Sequence, residues 1–323
     1  MIFKNVEPRH SPVDFGVPSS FTQVHDTEIA TFHDFDVPLV DFPSGAASLR
    51  VIPFARRRFA TDRLKIYHSL MPSVEEFTTV ESIFVRHRNA LLLRGQFTPI
   101  YTDYYLHLMQ HGIRPPAELD QMLKDALAML TLHLVARPWA ETIAWTANLR
   151  APRINLFVTG SSFEESITGR IFTEDVREPD RNFFYSQSTA AAGEAPRTST
   201  MEVIGRDPIA WVGQYYEQSE QRPARAFRLD DENFALVAAQ PDCDLEWLEA
   251  LDETAVAKIS EAEETTVLET RRFRFNCGCT VDKILPILGG WKNRLDDLFE
   301  AADFINIQCP RCAAKYRITR DMI

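Results

Sequence analysis

A chain of 323 residues, 45% hydrophobic and 25% charged, has the composition of an ordinary folded protein and is long enough for one large domain with a smaller one, or two of similar size. Its net charge of -11 speaks against a general nucleic-acid binder, because affinity for phosphate backbones comes mostly from Lys and Arg displacing counterions. No stretch approaches the roughly 18 uninterrupted apolar residues of a membrane span, and the opening "MIFKNVEPRHSPVDFG" has no basic region followed by an apolar run, so a cytoplasmic protein is expected.

Residues 1–77 are rich in Phe, Asp and Pro without a sustained period and read as an N-terminal extension, whose spaced aromatics suit either packing onto the body or binding a partner. A body over 78–240 follows. "VESIFVRHRNALLLRGQFTPIYTDYYLHLMQHG" predicts a strand from Ala90 to Ile100 and then a helix. "RPPAELDQMLKDALAMLTLHLVA" predicts a second helix: Pro115 and Pro116 suit its start, Glu118 and Asp120 suit the positive end of its dipole, and Leu119, Met122, Leu123, Ala126, Leu127 and Leu130 form a core stripe. "ETIAWTANL", "RINLFVTGSS" and "ESITGRIFTED" read as strands separated by Gly and Ser, in an antiparallel pattern, and "STAAAGEAPRTST" reads as a loop. "DPIAWVGQYYEQSEQRP" predicts a helix that stops before Pro223, and "ARAFRLDDENFALVAAQP" predicts a hairpin around "DDEN".

Charge is unevenly spread. From Leu229 to Thr270 there are thirteen acids against the single base Lys258, whereas from Arg271 onward there are ten bases against six acids. Within the acidic part, residues 241–270 place Leu245, Leu248, Leu251 and Val256 at roughly helical intervals, which predicts a short helical connector. The expected class is therefore α+β: a mixed α/β body with an antiparallel sheet and packed helices, an acidic connector, and a small C-terminal domain over 271–323.

That last domain holds four of the five cysteines, Cys277, Cys279, Cys309 and Cys312. Four thiolates in a tetrahedron make a structural zinc site. In "CGC" the two side chains share a face if the backbone is extended, and in "CPRC" a tight turn brings the sulfurs together. The segment between the pairs has room for a helix pair, "DKILPILGGWKNRLDDLF", to cap the site. Two permanent disulfides are the alternative, disfavoured without a secretion signal, although a strained and labile bridge could still form on oxidation. Because zinc thiolates react with oxidants and the metal contributes the folding free energy of so small a module, the four cysteines could act as a switch.

The order of body, connector and terminal C-x-C then C-x-x-C resembles the thirty-three-kilodalton heat shock protein family of redox-regulated holdase chaperones. The likeness extends over about residues 80–323: "LLLRGQF" resembles the family's early arginine-glycine strand, "YYEQSEQRPARAFRL" its helix and strand before the connector, and "CPRCAAKYRI" its final zinc turn. The resemblance implies an ATP-independent stress-response chaperone that prevents aggregation. Cys277, Cys279, Cys309 and Cys312 would bind zinc when reduced, and on oxidation would form Cys277 to Cys279 and Cys309 to Cys312 bridges. It also implies that the connector then loosens to expose apolar surface to unfolding clients, and that a homodimer forms. The connector is shorter here than in familiar members, and residues 1–77 have no counterpart.

Client binding is expected around the connector's apolar stripe, including Trp247, Leu248 and Leu251. Cys243 lies among acids that should raise its pKa and reads as an incidental thiol. His107 and His111 have i, i+4 spacing without a carboxylate partner and read as surface residues. Neither a G-x-S-x-G elbow nor a G-x-x-x-x-G-K-[ST] loop occurs, so nothing supports an enzyme. Two other readings remain: a constitutive holdase with purely structural zinc, and a zinc-dependent module whose Arg271, Arg272, Arg274, Lys292, Arg294, Arg311, Lys315, Arg317 and Arg320 contact RNA or an acidic protein.

Overall fold

Beginning at Thr78, strand after strand joins a single sheet whose two halves are stitched together by a strand from late in the sequence. The computed structural model describes residues 77–137, 141–190, 195–300 and 302–323; the N-terminal extension read over 1–77 lies outside these except for Phe77. In chain order the body runs β1 (Thr78–Val85), β2 (Ala90–Gln96), α1 (Thr98–Gln110), α2 (Ala117–Val135), β3 (Glu141–Leu149), β4 (Ile154–Ser161), β5 (Ser166–Phe172), β6 (Phe183–Ala190), β7 (Arg197–Glu202), α3 (Pro208–Tyr215), β8 (Ala224–Arg228) and β9 (Asn233–Ala239). Three short helices follow, α4 (Leu245–Ala250), α5 (Glu253–Ala257) and α6 (Ile259–Ala262), and then β10 (Thr265–Phe275). The C-terminal part is α7 (Val281–Leu288), α8 (Leu295–Phe299), β11 (Phe304–Gln308) and β12 (Lys315–Thr319).

The ten-stranded sheet has the order β7-β6-β3-β4-β5-β10-β1-β2-β9-β8. All its neighbours are antiparallel except β5 and β10, which meet in parallel where Ser166 and Ile167 lie beside Arg274 and Phe275. This is the α+β body expected, with α2 as its central helix, packed with α1 and α3 over one face of the sheet. Among the described residues no helix is long and apolar enough to cross a membrane.

In the β1-β2-β9-β8 half both faces of the sheet are buried. Leu93, Phe234, Leu236 and Ala238 point into the helical core, while their neighbours Leu92, Ala235, Val237 and Ala239 join Ile83 and Val85 in a second cluster on the opposite face. A strand covered on both sides has no reason to alternate apolar with polar residues, which is why β9 reads "NFALVAA". The cover on the second face is the acidic connector: Leu248, Leu251, Val256 and Ile259 pack there.

Three expectations change. The strand predicted to reach Ile100 stops at Gln96, because the Phe97 N–H turns to the Glu232 carbonyl and Pro99 occupies the first turn of α1, where its missing donor costs nothing. Within "STAAAGEAPRTST", read as a loop, Ser188–Ala190 complete β6 and Arg197–Thr200 begin β7, while residues 191–194 lie outside the described residues; these small polar residues on an outer strand pair lack the apolar alternation that marks a strand. The helical reading of the connector describes residues up to Ala262, but Thr265 to Thr270 belong to β10, whose β-branched residues Thr265, Thr266 and Val267 suit pairing with β1.

At the far end of α2 the core encloses a histidine. His133 Nδ1 lies 2.9 Å from the Tyr216 hydroxyl, and its ring packs against Trp145, Tyr215 and Tyr216. Burial, reinforced by the nearby charges of Arg137 and Arg222, pushes its pKa down to about 3. The folded state therefore keeps His133 neutral while the unfolded chain protonates it below about pH 6.5. Between those two values unfolding takes up a proton, so stability falls with acidification, by about 2 kcal/mol from pH 7 to pH 5. Denaturant melts at the two pH values should show this loss in the native chain and a smaller one in His133→Phe; equal losses would refute the assignment.

Candidate metal centre

The first cysteine pair stands at the end of β10. The Asn276 N–H bonds the Ile167 carbonyl, which ties the chain to the start of β5 before it turns. It does not continue extended through "CGC": Gly278 has φ +64°, a left-handed conformation that a residue with a side chain rarely adopts. The Asn276 Oδ1 accepts from the Gly278 N–H at 2.9 Å, and Lys283 Nζ donates to the Gly278 carbonyl at 2.6 Å. Cys277 and Cys279 thus converge through a turn, not through the alternation of a strand. Thr280 then caps α7, its side chain accepting from the Lys283 N–H.

The second pair sits at the tip of the β11/β12 hairpin. Beyond the paired Gln308 and Lys315, the Cys309 N–H bonds the Ala314 carbonyl at 2.8 Å and the Ala313 N–H bonds the Cys309 carbonyl at 2.9 Å. Helices α7 and α8 form a small separate core with this hairpin, made of Ile284, Leu288, Leu298, Phe299, Ile305, Ile307 and Ile318.

The four sulfurs lie within 4.8 Å of one another, with Cys309 and Cys312 buried and Cys277 and Cys279 half-buried. Cys277 to Cys309 is 3.7 Å and Cys279 to Cys312 is 3.4 Å. A regular tetrahedron with Zn–S bonds of about 2.3 Å has edges of about 3.8 Å, so the donor set fits a single zinc-sized ion. The electrostatics point the same way. Hydrogen bonds shared with Cys277 favour the thiolate at Cys279, lowered to about 7, and at Cys309, while they push Cys312 up; Cys277 itself is raised, first by its bond to Cys279. Four clustered thiolates repel one another, and a divalent cation offsets that repulsion. Tyr316 orders the edge of the cluster: its hydroxyl donates to the Cys279 carbonyl at 2.8 Å and lies 3.1 Å from the Cys279 sulfur.

Body residues also reach the cluster, and sequence reasoning missed them. His107 and His111, expected on the surface, contact the Cys312 carbonyl and the Lys315 N–H. Arg170 of β5 donates to the Cys309 carbonyl. The i, i+4 histidine spacing was the available signal, since both rings occupy one face of the end of α1. Cys243 stands apart, half-buried beside the connector cluster. Its pKa is raised as expected, but burial is the leading cause and Asp244 adds only a lesser contribution.

The stripe residues behave differently from one another. Leu248 and Leu251 are buried and Trp247 is partly buried beneath the Arg88 guanidinium, whereas Leu245 is exposed. Polar clasps hold this cover at both ends: Arg88 pairs with Asp244 at 2.7 Å and with Glu263 at 3.0 Å, and Arg225 Nη1 donates to the carbonyls of Leu248, Glu249 and Leu251. Helices of six, five and four residues are too short to persist alone, so the connector depends on the sheet beneath it.

With this geometry in view, residues 228–319 match the sequence model of the Hsp33 protein family, a span running from the end of β8 through the connector and all four clustered cysteines. The fold resembles the crystal structure of the 33 kDa chaperonin (heat shock protein 33 homolog) of Thermotoga maritima, with a TM-score of 0.58 and 12% identity, over 76% of this chain and 96% of that one. At that identity the structural likeness speaks for the fold. No curated protein matches the chain.

Proposed function

We propose that the chain is a member of the Hsp33 family, whose sequence model matches residues 228–319 and with whose fold this one agrees, and that it is a redox-regulated, ATP-independent holdase that binds unfolding proteins and prevents their aggregation. The observation that carries this reading is a single path of chain. The connector covers an apolar sheet face, passes at Thr265 directly into β10, and β10 ends at the cysteine cluster. Whatever opens the cluster frees one end of the strand that anchors the cover.

Zinc is the metal this donor set suits, and when bound it would supply a structural cross-link among Cys277, Cys279, Cys309 and Cys312. In the oxidised form these residues form the bridges Cys277 to Cys279 and Cys309 to Cys312. Each bridge gives up two thiol protons and two electrons to a peroxide, whose oxygens leave as two waters. The Cys277–Cys309 and Cys279–Cys312 contacts of the reduced fold run across the pairs and are given up when the local bridges form. The surface then offered to clients comprises Trp247, Leu248 and Leu251 together with the sheet residues they cover. Unfolding proteins in the cytoplasm are the partners, and the oxidised form is a homodimer. In domain terms, 78–240 is the chaperone body, 241–270 the releasable cover and 271–323 the switch.

An RNA-binding reading of the basic C-terminal part has less support. The Arg271 side chain is buried and donates to the Leu134 carbonyl, Arg274 pairs with Asp103, and Arg320 pairs with Asp296, so three of its charges serve the fold itself.

The test is light scattering from a heat-unfolding client, with the protein either reduced and zinc-loaded or peroxide-treated. Suppression by the oxidised sample alone supports the switch. Equal suppression by both makes the zinc structural and the holdase constitutive, and suppression by neither removes the chaperone reading.

A further inference from the structure

The hairpin that carries Cys309 and Cys312 is held to the body by its own main chain. Arg170 donates through Nη1 to the Cys309 carbonyl at 3.1 Å and through Nη2 to Gln308 Oε1 at 3.2 Å. His107 Nε2 lies 2.8 Å from the Cys312 carbonyl, and since a carbonyl only accepts, Nε2 carries the proton. Three residues further along the chain, the Lys315 N–H donates to His111 Nδ1 at 3.2 Å. The rings of His107 and His111 are 4.8 Å apart, His107 also packs on Phe275, and His111 meets Tyr316 edge-on.

The two carbonyls concerned belong to metal-ligand candidates, and they face Arg170 and His107 only while the Cys309–Ala314 turn is closed. A chelated ion leaves by stepwise loss of ligands, which requires that turn to open. Opening it breaks the body's bonds as well as the turn's own.

We propose that Arg170 and His107 are positioning residues for the metal site, which hold the Cys309–Cys312 turn closed against the body and so set how fast the metal leaves. This deepens the metal-bearing reading above and rests on it. To the extent that these bonds also raise equilibrium metal affinity, bound metal stabilises the body in return. Loosening of β5 or α1 by heat speeds metal loss, so the thiol cluster responds to the folded state of the body as well as to oxidant. Arg170 is suited to the part: its guanidinium stacks 4.0 Å from the centre of the Phe172 ring, which fixes its direction.

The experiment uses the full chain, reduced and loaded with Zn2+, with bound zinc measured first by atomic absorption. Zinc release is then followed in excess chromophoric chelator. Arg170→Leu and His107→Leu should each release zinc about tenfold faster than the native chain, in line with loss of a charged or buried hydrogen bond. Because the two residues hold different carbonyls, the double variant should show roughly the product of the single effects. Arg170→Lys and His107→Gln, which keep a donor, should fall between. Melting of the metal-free single variants should match the native chain, which a general weakening of the body would not allow. Native release rates in both Leu variants, at full zinc content, would overturn the proposal. If Arg170→Leu does not fold, the His107 pair and Arg170→Lys decide it. A native chain that takes up no zinc defeats the metal reading itself, a result distinct from unchanged release rates.

Discussion

Stripping the metal from the reduced protein, or replacing Cys309 by Ser, is expected to unfold residues 277–319 while β1, β2, β9 and α2 keep their protection from hydrogen exchange. The C-terminal part has only a small core: among the described residues its main cluster holds seven buried apolar side chains, shared among two short helices and one hairpin. A unit of this size buries too little surface to fold alone, and structural zinc supplies on the order of 10 kcal/mol to comparable small modules. Without that contribution the four cysteines lose the cross-link that ties the hairpin tip to the end of β10, and the β11/β12 amides should open. The body differs because its central helix is buried along almost its whole second half and its strands are covered on both faces in the β1-β2-β9 region. Exchange protection at Ile305, Ile307 and Ile318 should therefore fall by at least about a thousandfold, equivalent to about 4 kcal/mol of local opening, with little change at Leu92, Leu236 or Leu130. A chelated or Cys309→Ser protein that keeps its hairpin protected would show that the hydrophobic cluster, not the metal, holds the module.

The parts legible in the sequence were those set by short-range spacing. Cys277, Cys279, Cys309 and Cys312 announce themselves as pairs, and the stripe of α2 recurs every three or four residues, so both could be read without a fold. The connector's Leu248, Leu251 and Val256 were visible as apolar positions in an acidic stretch, yet what they cover depends on Ile83, Val85, Leu92 and Val237, which lie far off in the chain. The same holds for the grip on the metal turn. Arg170 is 139 residues from Cys309 and His107 is 205 from Cys312, and neither sits in a pattern that predicts its partner. Strand β10 was obscured for another reason: its first half carries Glu269, the last acid of the connector, so composition assigned it to the wrong side of a boundary that the sheet crosses. Gly278 shows the limit at the smallest scale, since a cysteine pair one residue apart fits a strand or a turn equally well until φ is known.

Charging Leu248 is expected to activate the reduced protein. Read from sequence alone, Leu248→Glu should weaken client protection by spoiling a binding stripe. In the folded protein, however, Leu248 is 1% exposed and lies in the cluster with Val237, Leu92 and Leu251, where a carboxylate would be desolvated in an apolar setting. Burying it there would cost several kcal/mol. The alternative is to release the connector, whose three helices have no stability of their own and whose clasps are partly solvated pairs such as Arg88 with Asp244 and Glu263. Release is the cheaper outcome. The sheet face formed by Ile83, Val85, Leu92 and Val237 is then uncovered without any change at the cysteines, so zinc content should remain that of the native chain. Reduced, zinc-loaded Leu248→Glu should suppress aggregation of a heat-unfolding client where the reduced native chain does not, and protease should cut within residues 245–262. Leu245→Glu, on the same helix but at an exposed position, should do neither. An opened connector without client protection would assign binding to the stripe itself, since the sheet face would be free and unused; an uncut connector would contradict the packing argument from which the expectation comes.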